Sequence, residues 1–82
     1  MPRYMFELST ELMYNQRLKI MDGANVYEAI AEFAPEKERT LLVWLDDFHI
    51  PSYKIASAKK ELTAWLSEKE ILVIFKPGNR IK

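Results

Sequence analysis

The chain has no cysteine, two glycines and one histidine among its 82 residues. The lack of cysteine excludes disulfides and thiolate metal sites, and it leans towards a reducing compartment. A lone histidine, His49, excludes His–His and Cys–His metal pairs. Next to Phe48 and Ile50 it reads as a packed loop residue. Gly23 and Gly78 stand alone, so there is no Gly-rich loop to cradle a phosphate. The serines at 9, 52, 57 and 67 lack a Gly-x-Ser-x-Gly context, and no catalytic triad assembles around them. No apolar run approaches the roughly 18 residues of a membrane span. The opening residues, Met1 to Glu7, are not those of a signal peptide. A cytoplasmic protein is the expectation, with no membrane partner.

Net charge is also missing, since 12 Lys+Arg balance 12 Asp+Glu. A dedicated nucleic-acid binder neutralises phosphates with a basic surplus, so nucleic acid is an unfavoured partner. The short tail 77–82, with Arg80 and Lys82 next to Lys76, is the one local basic excess. Lys54, Lys59 and Lys60 spread around a helical wheel shared with Glu61 and Glu68. They read as a solvated helix surface whose lysine stems cover the core edges.

What is present is apolar residue, at 49% of the chain. That is the composition of one folded domain over residues 1–82. A core of this size yields only about 3–5 kcal/mol of net stability, and oligomerisation is the common supplement. Two runs, Leu41 to Leu45 and Ile71 to Phe75, are apolar at every position. A strand with one wet face alternates, whereas continuous apolar character expects cover above and below. Between them Ile55, Ala58, Leu62, Trp65 and Leu66 form a helical stripe behind Ser52, the expected N-cap. The centre of the chain is therefore a β-α-β unit.

Upstream, Tyr4, Phe6 and Leu8 alternate with polar neighbours as a first strand. Leu12 to Ile20 fits a second strand better than a helix, because a helical stripe fails after one turn. Asn25 with Glu28 resembles a capping box. Val26, Ala29, Ile30, Phe33 and Ala34 then make a helical stripe that Pro35 stops. The expected architecture is a small α/β (α+β two-layer) domain, β-β-α-β-α-β, with a four-stranded mixed sheet and two helices. Sheet order 1-2-3-4 puts both helices on one face; order 1-2-4-3 puts one on each.

Two functional readings follow. In the first, the chain is a small non-enzymatic, regulatory protein-binding module: an inhibitor, an antitoxin-like regulator or an assembly subunit. It needs no cofactor. Two helices leave a doubly apolar sheet short of cover, so Leu42, Trp44, Leu72 and Ile74 form the binding interface, with Met5 or Met13 at its margin. A protein partner or a second copy, as a homodimer, would bury them. The alternative is an enzyme. Asp22, Asp46 and Asp47 lie at expected C-terminal strand ends, where α/β sheets bind ligands. They would hold Mg²⁺, with Lys76 or Arg80 meeting the phosphate of a phosphodiester or phosphotransfer substrate. Weak nucleic-acid binding through the basic tail is a further alternative.

Overall fold

The computed structural model describes residues 2–80; the Ile81 and Lys82 end of the expected tail lies outside them. Strands β1 (Met5–Thr10), β2 (Asn15–Asp22), β3 (Asn25–Phe33) and β4 (Thr40–Trp44) are followed by a 3₁₀ turn, Leu45–Phe48. Helix α1 (Ser52–Glu68) and strand β5 (Leu72–Lys76) complete the chain. The five strands lie in sequence order across one sheet. Every neighbouring pair is antiparallel except β4 and β5, which are parallel and joined through α1. The fold is thus a small α+β domain with a mixed sheet and one helix.

The helix expected from Asn25 is instead β3. Its residues satisfy both periods. Tyr27, Ala29, Ala31 and Phe33 fall on one face of a strand, while Val26, Glu28, Ile30 and Glu32 fall on the other. The hairpin geometry decides. Asp22 pairs with Asn25, leaving Gly23 and Ala24 as a two-residue turn, and Gly23 supplies φ +60 at its first position. Glycine at the first position of a two-residue loop between alternating segments favours a hairpin, and eight consecutive β2–β3 pairs follow from it. Five strands and one helix therefore replace the four strands and two helices.

Alternation sorts the sheet into two faces. Leu18, Ile20, Ala31, Leu41 and Val43 point one way and are fully buried with Ala58, Leu62 and Leu66 of α1. Phe6, Leu8, Val73 and Phe75 pack around them. The opposite face carries no helix.

Helix α1 begins at Ser52, with Pro51 rather than Ser52 in the N-cap position. It ends when the Ile71 N–H donates to the Leu66 carbonyl and the Glu70 N–H to that of Ser67. This Schellman arrangement usually has glycine at its left-handed position; here Glu70 occupies it with φ +62. The Arg39 guanidinium donates to the Lys69 and Glu70 carbonyls and holds the turn. Leu72 then enters β5 by donating to the Arg39 carbonyl.

Candidate binding surface

Register defines the uncovered face. Leu42 pairs with Ile74, Trp44 with Lys76 and Thr40 with Leu72, so Leu42, Trp44, Leu72 and Ile74 share the side away from α1. Leu72 is 71% exposed; the other three are half-buried. The loop after β3 walls one end. Ala34, Pro35, Glu36 and Lys37 with Leu42, Ile74 and Lys76 line a shallow hollow of about 270 Å³. Its floor is apolar and its rim carries charges of both signs.

The C-terminal tail crosses the same face. After Gly78 (φ +73), Asn79 Nδ2 donates to Asp47 Oδ1 at 2.8 Å, and the Arg80 N–H donates to Asp47 Oδ2 at 3.0 Å. The Arg80 guanidinium reaches Glu32 Oε2 at 2.7 Å and Asn15 Oδ1 at 2.9 Å. Glu32 and Asn15 both belong to the uncovered face, so the tail straps it between β2 and β4. Its guanidinium is committed to a carboxylate of the same chain rather than offered to phosphate. His49, with a left-handed backbone of φ +58, lines a neighbouring hollow of about 340 Å³ with Ile30, Asp47, Asn79 and Arg80.

The three aspartates do not converge. Asp22 ends β2, while Asp46 and Asp47 sit in the 3₁₀ turn. Among the described residues, no three His, Asp or Glu side chains are grouped to hold a cation. Asp22 instead meets Lys54 at 3.0 Å and Arg3 at 3.1 Å. These cations, Lys54 first, hold its carboxyl below the usual aspartate range.

Lys54, expected on a solvated flank, is only 5% exposed. Its Nζ donates to the Tyr27 hydroxyl at 3.0 Å. Tyr27, followed by Asp22, raises its pKa above that of an ordinary lysine. A cation in the first turn of a helix opposes the helix dipole, so a carboxylate partner is needed there. Close by, the Tyr4 hydroxyl lies 2.8 Å from Ser57 Oγ. Glu61 accepts the backbone N–H groups of Arg3 and Tyr4 at 2.9 Å each. This corner fastens the N-terminal segment to α1, and its groups are saturated by each other.

One exposed apolar feature was legible only in part, with Met13 expected at the margin of the interface and its neighbours not singled out. Leu12, Met13 and Tyr14 form the tip of the β1–β2 hairpin and are 69%, 82% and 52% exposed. Three adjacent apolar residues beside Asn15 were the available signal, obscured because Leu12 and Tyr14 also continue the period of β2. Tyr14 shares a hollow with Phe33, Pro35 and Arg39. Pro35 thus links the tip to the Leu42–Ile74 patch.

Among the described residues, no helix is long and apolar enough to cross a membrane. No family model matches the chain, and neither the curated proteins nor the solved structures provide a match.

Proposed function

We propose that this chain is a protein-interaction module that docks an apolar protein surface on the outer face of β4 and β5. The observation that supports the reading is the shared position of Leu42, Trp44, Leu72 and Ile74 opposite the helix, with Leu72 largely in water. Neighbouring exposed apolar side chains rimmed by polar groups mark interaction sites. An aromatic residue flanked by aliphatics is the usual anchor of such a surface. The partner contributes apolar side chains to the Leu42–Ile74 hollow, and Lys37, Glu36 and Lys76 set its orientation from the rim.

The test uses the two features that set this face apart. In a Trp65→Phe background, Trp44 is the one remaining indole, and acrylamide quenches its emission in the free protein. An apolar dye such as anilinonaphthalene sulfonate binds the native wild type and loses that binding in Leu72→Lys. Circular dichroism of Leu72→Lys remains that of the wild type. A Trp44 shielded from quencher, together with no dye binding, overturns the proposal.

A further inference from the structure

Among the described residues the sheet ends in two edge strands, β1 and β5, and the charges beside them differ. Beside β1 a groove of about 320 Å³ runs along α1, floored by Met5, Phe6, Ala64 and Trp65 and rimmed by Glu61 and Glu68. The Phe6 and Trp65 rings lie 5.4 Å apart. Beside β5 the helix side presents Phe75, with Lys59 Nζ 5.2 Å from its ring centroid. Lys76 ends the strand. The β1 edge is apolar with Glu68 on its rim and Lys69 Nζ 4.5 Å from the Trp65 centroid, and the β5 edge is apolar with Lys59 and Lys76 beside it.

We propose that the chain assembles head to tail, the β5 edge of one copy adding as a strand to the β1 edge of the next. Phe75 of the first copy lies beside Phe6 and Trp65 of the second, and its Lys59 lies on the side of Glu61 and Glu68.

Three observations carry this. The first is direction. β1 runs against β2, and two further reversals leave β5 also running against β1. A second copy placed beside the first with its helix on the same face therefore continues the sheet with an ordinary antiparallel pair. The second is register. Pairing Phe6 with Phe75 and Leu8 with Val73 keeps helix-side residues with helix-side residues. The third is charge. A two-fold pairing of β1 with β1 sets Glu61 and Glu68 against their own copies. A two-fold pairing of β5 with β5 does the same to Lys59 above Phe75. Like charges across paired strands are destabilising, and the head-to-tail join brings Lys59 towards Glu68.

Nothing in either edge opposes the join. Met5–Thr10 and Leu72–Lys76 contain no proline and a single charge each, Glu7 and Lys76, where edge strands are usually blunted by such residues. Main-chain hydrogen bonds supply the affinity, as in other strand additions. A contact one strand long is small, so association belongs at the weak end of protein interfaces. Five strands at about 20–25° of twist each turn successive copies by roughly 100–125°. The array is therefore an open twisted ribbon rather than a closed pair.

Sedimentation velocity over rising concentration in low salt tests this. The weight-average mass of the wild type climbs continuously past that of a dimer. Glu68→Lys alone and Lys59→Glu alone each weaken association by about fivefold. An equimolar mixture of the two recovers it, because each variant's altered edge then meets the other's. Thermal melts confirm that both variants fold. Overturning results are a monomer throughout, a mass that stops at dimer, single variants that assemble like the wild type, or a mixture that fails to recover. Trp44 lies on β4, one strand in from the β5 edge. Trp44→Lys therefore leaves this assembly intact, and the two surfaces are separable.

Discussion

On the uncovered face, β1, β2 and β3 carry Glu7, Arg17, Lys19, Glu28 and Glu32 interspersed with Met5, Met21, Val26 and Ile30, whereas β4 and β5 carry Leu42, Trp44, Leu72 and Ile74 before Lys76. The first three strands are knitted by cross-strand pairs. Arg17 reaches Glu28 at 3.3 Å and Glu11 at 2.8 Å, and Lys19 lies 3.9 Å from Glu7. Among the described residues the last two strands make no such pairs. The covered faces of both halves are alike, since every strand contributes apolar side chains to the same core. The difference therefore lies in what each half presents to water. The antiparallel half mixes charged pairs with apolar residues on its wet face, and the parallel half keeps the continuous apolar pattern of a sheet covered twice. A surface that keeps this composition on the side away from the helix is the one the proposed partner would cover.

The largest expected effect compares two adjacent leucines of β4. Leu41 is fully buried against the helix; Leu42 lies half-buried on the other face. Leu41→Ala loses about 2–5 kcal/mol of unfolding free energy, while Leu42→Ala loses about 1 kcal/mol. Urea midpoints with unchanged slopes measure both. Equal losses would show that the two faces of β4 are equally covered, and the comparison would collapse.

How much of this was legible in the sequence depends on the range of the physics involved. Leu41 to Leu45, the helical stripe and Ile71 to Phe75 could be read because each pattern is local and strong. Period two also fixed that Leu42 shares a face with Trp44, and Leu72 with Ile74. It could not fix which face α1 covers, because both runs are apolar on both sides. β3 was misread because Ala29, Ala31 and Ala34 suit either element and the flanking Val26, Ile30 and Phe33 happen to fall at helical spacing. The deciding constraint, the two-residue turn between Asp22 and Asn25, is local; glycine at its first position signals a hairpin, but the helical stripe from Val26 outweighs it when the sequence is read alone. The Asp22–Lys54 pair and the Arg80 strap connect residues distant along the chain, and no local signal announces such partners. The Asp22, Asp46 and Asp47 grouping rested on strand ends alone, and in this fold Asp22 turns to Lys54 and Arg3 while Asp47 turns to Asn79 and the Arg80 N–H.

The second effect concerns charge on the covered side. Asp22 has a lowered folded pKa, held first by Lys54 and then by Arg3. Its contribution to stability is complete above the ordinary aspartate value near 3.9 and is lost as pH falls through the folded value. Lys54 has a raised folded pKa, held first by Tyr27 and then by Asp22. Its contribution is complete below the ordinary lysine value near 10.4 and is lost as pH rises through the folded value. The pair is therefore fully effective between those limits. Asp22→Asn lowers the thermal midpoint at pH 7 and flattens its decline below about pH 4, since the group that titrates there is gone. Wild-type and variant midpoints that fall in parallel from pH 7 to pH 3 would remove Asp22 from the acid limb.

The smallest effect is expected where charges are most numerous. Arg17 bridges Glu11 and Glu28 across the wet half of the sheet, and all three side chains are about 40% exposed. Ion pairs in that setting gain little, because water already solvates each partner and ordering long side chains opposes the attraction. Arg17→Ala leaves the thermal midpoint within the scatter of repeated melts, and added salt brings the two curves closer still by screening the wild-type pairs. A clear fall in the midpoint would mean that the ladder binds β1, β2 and β3 together. The contrast between the two halves would then be one of cohesion, with ion pairs doing for the first three strands what parallel pairing and the α1 crossover do for β4 and β5. An unchanged midpoint makes the charged half a hydrated surface, and the apolar half then differs from it by what it offers a partner.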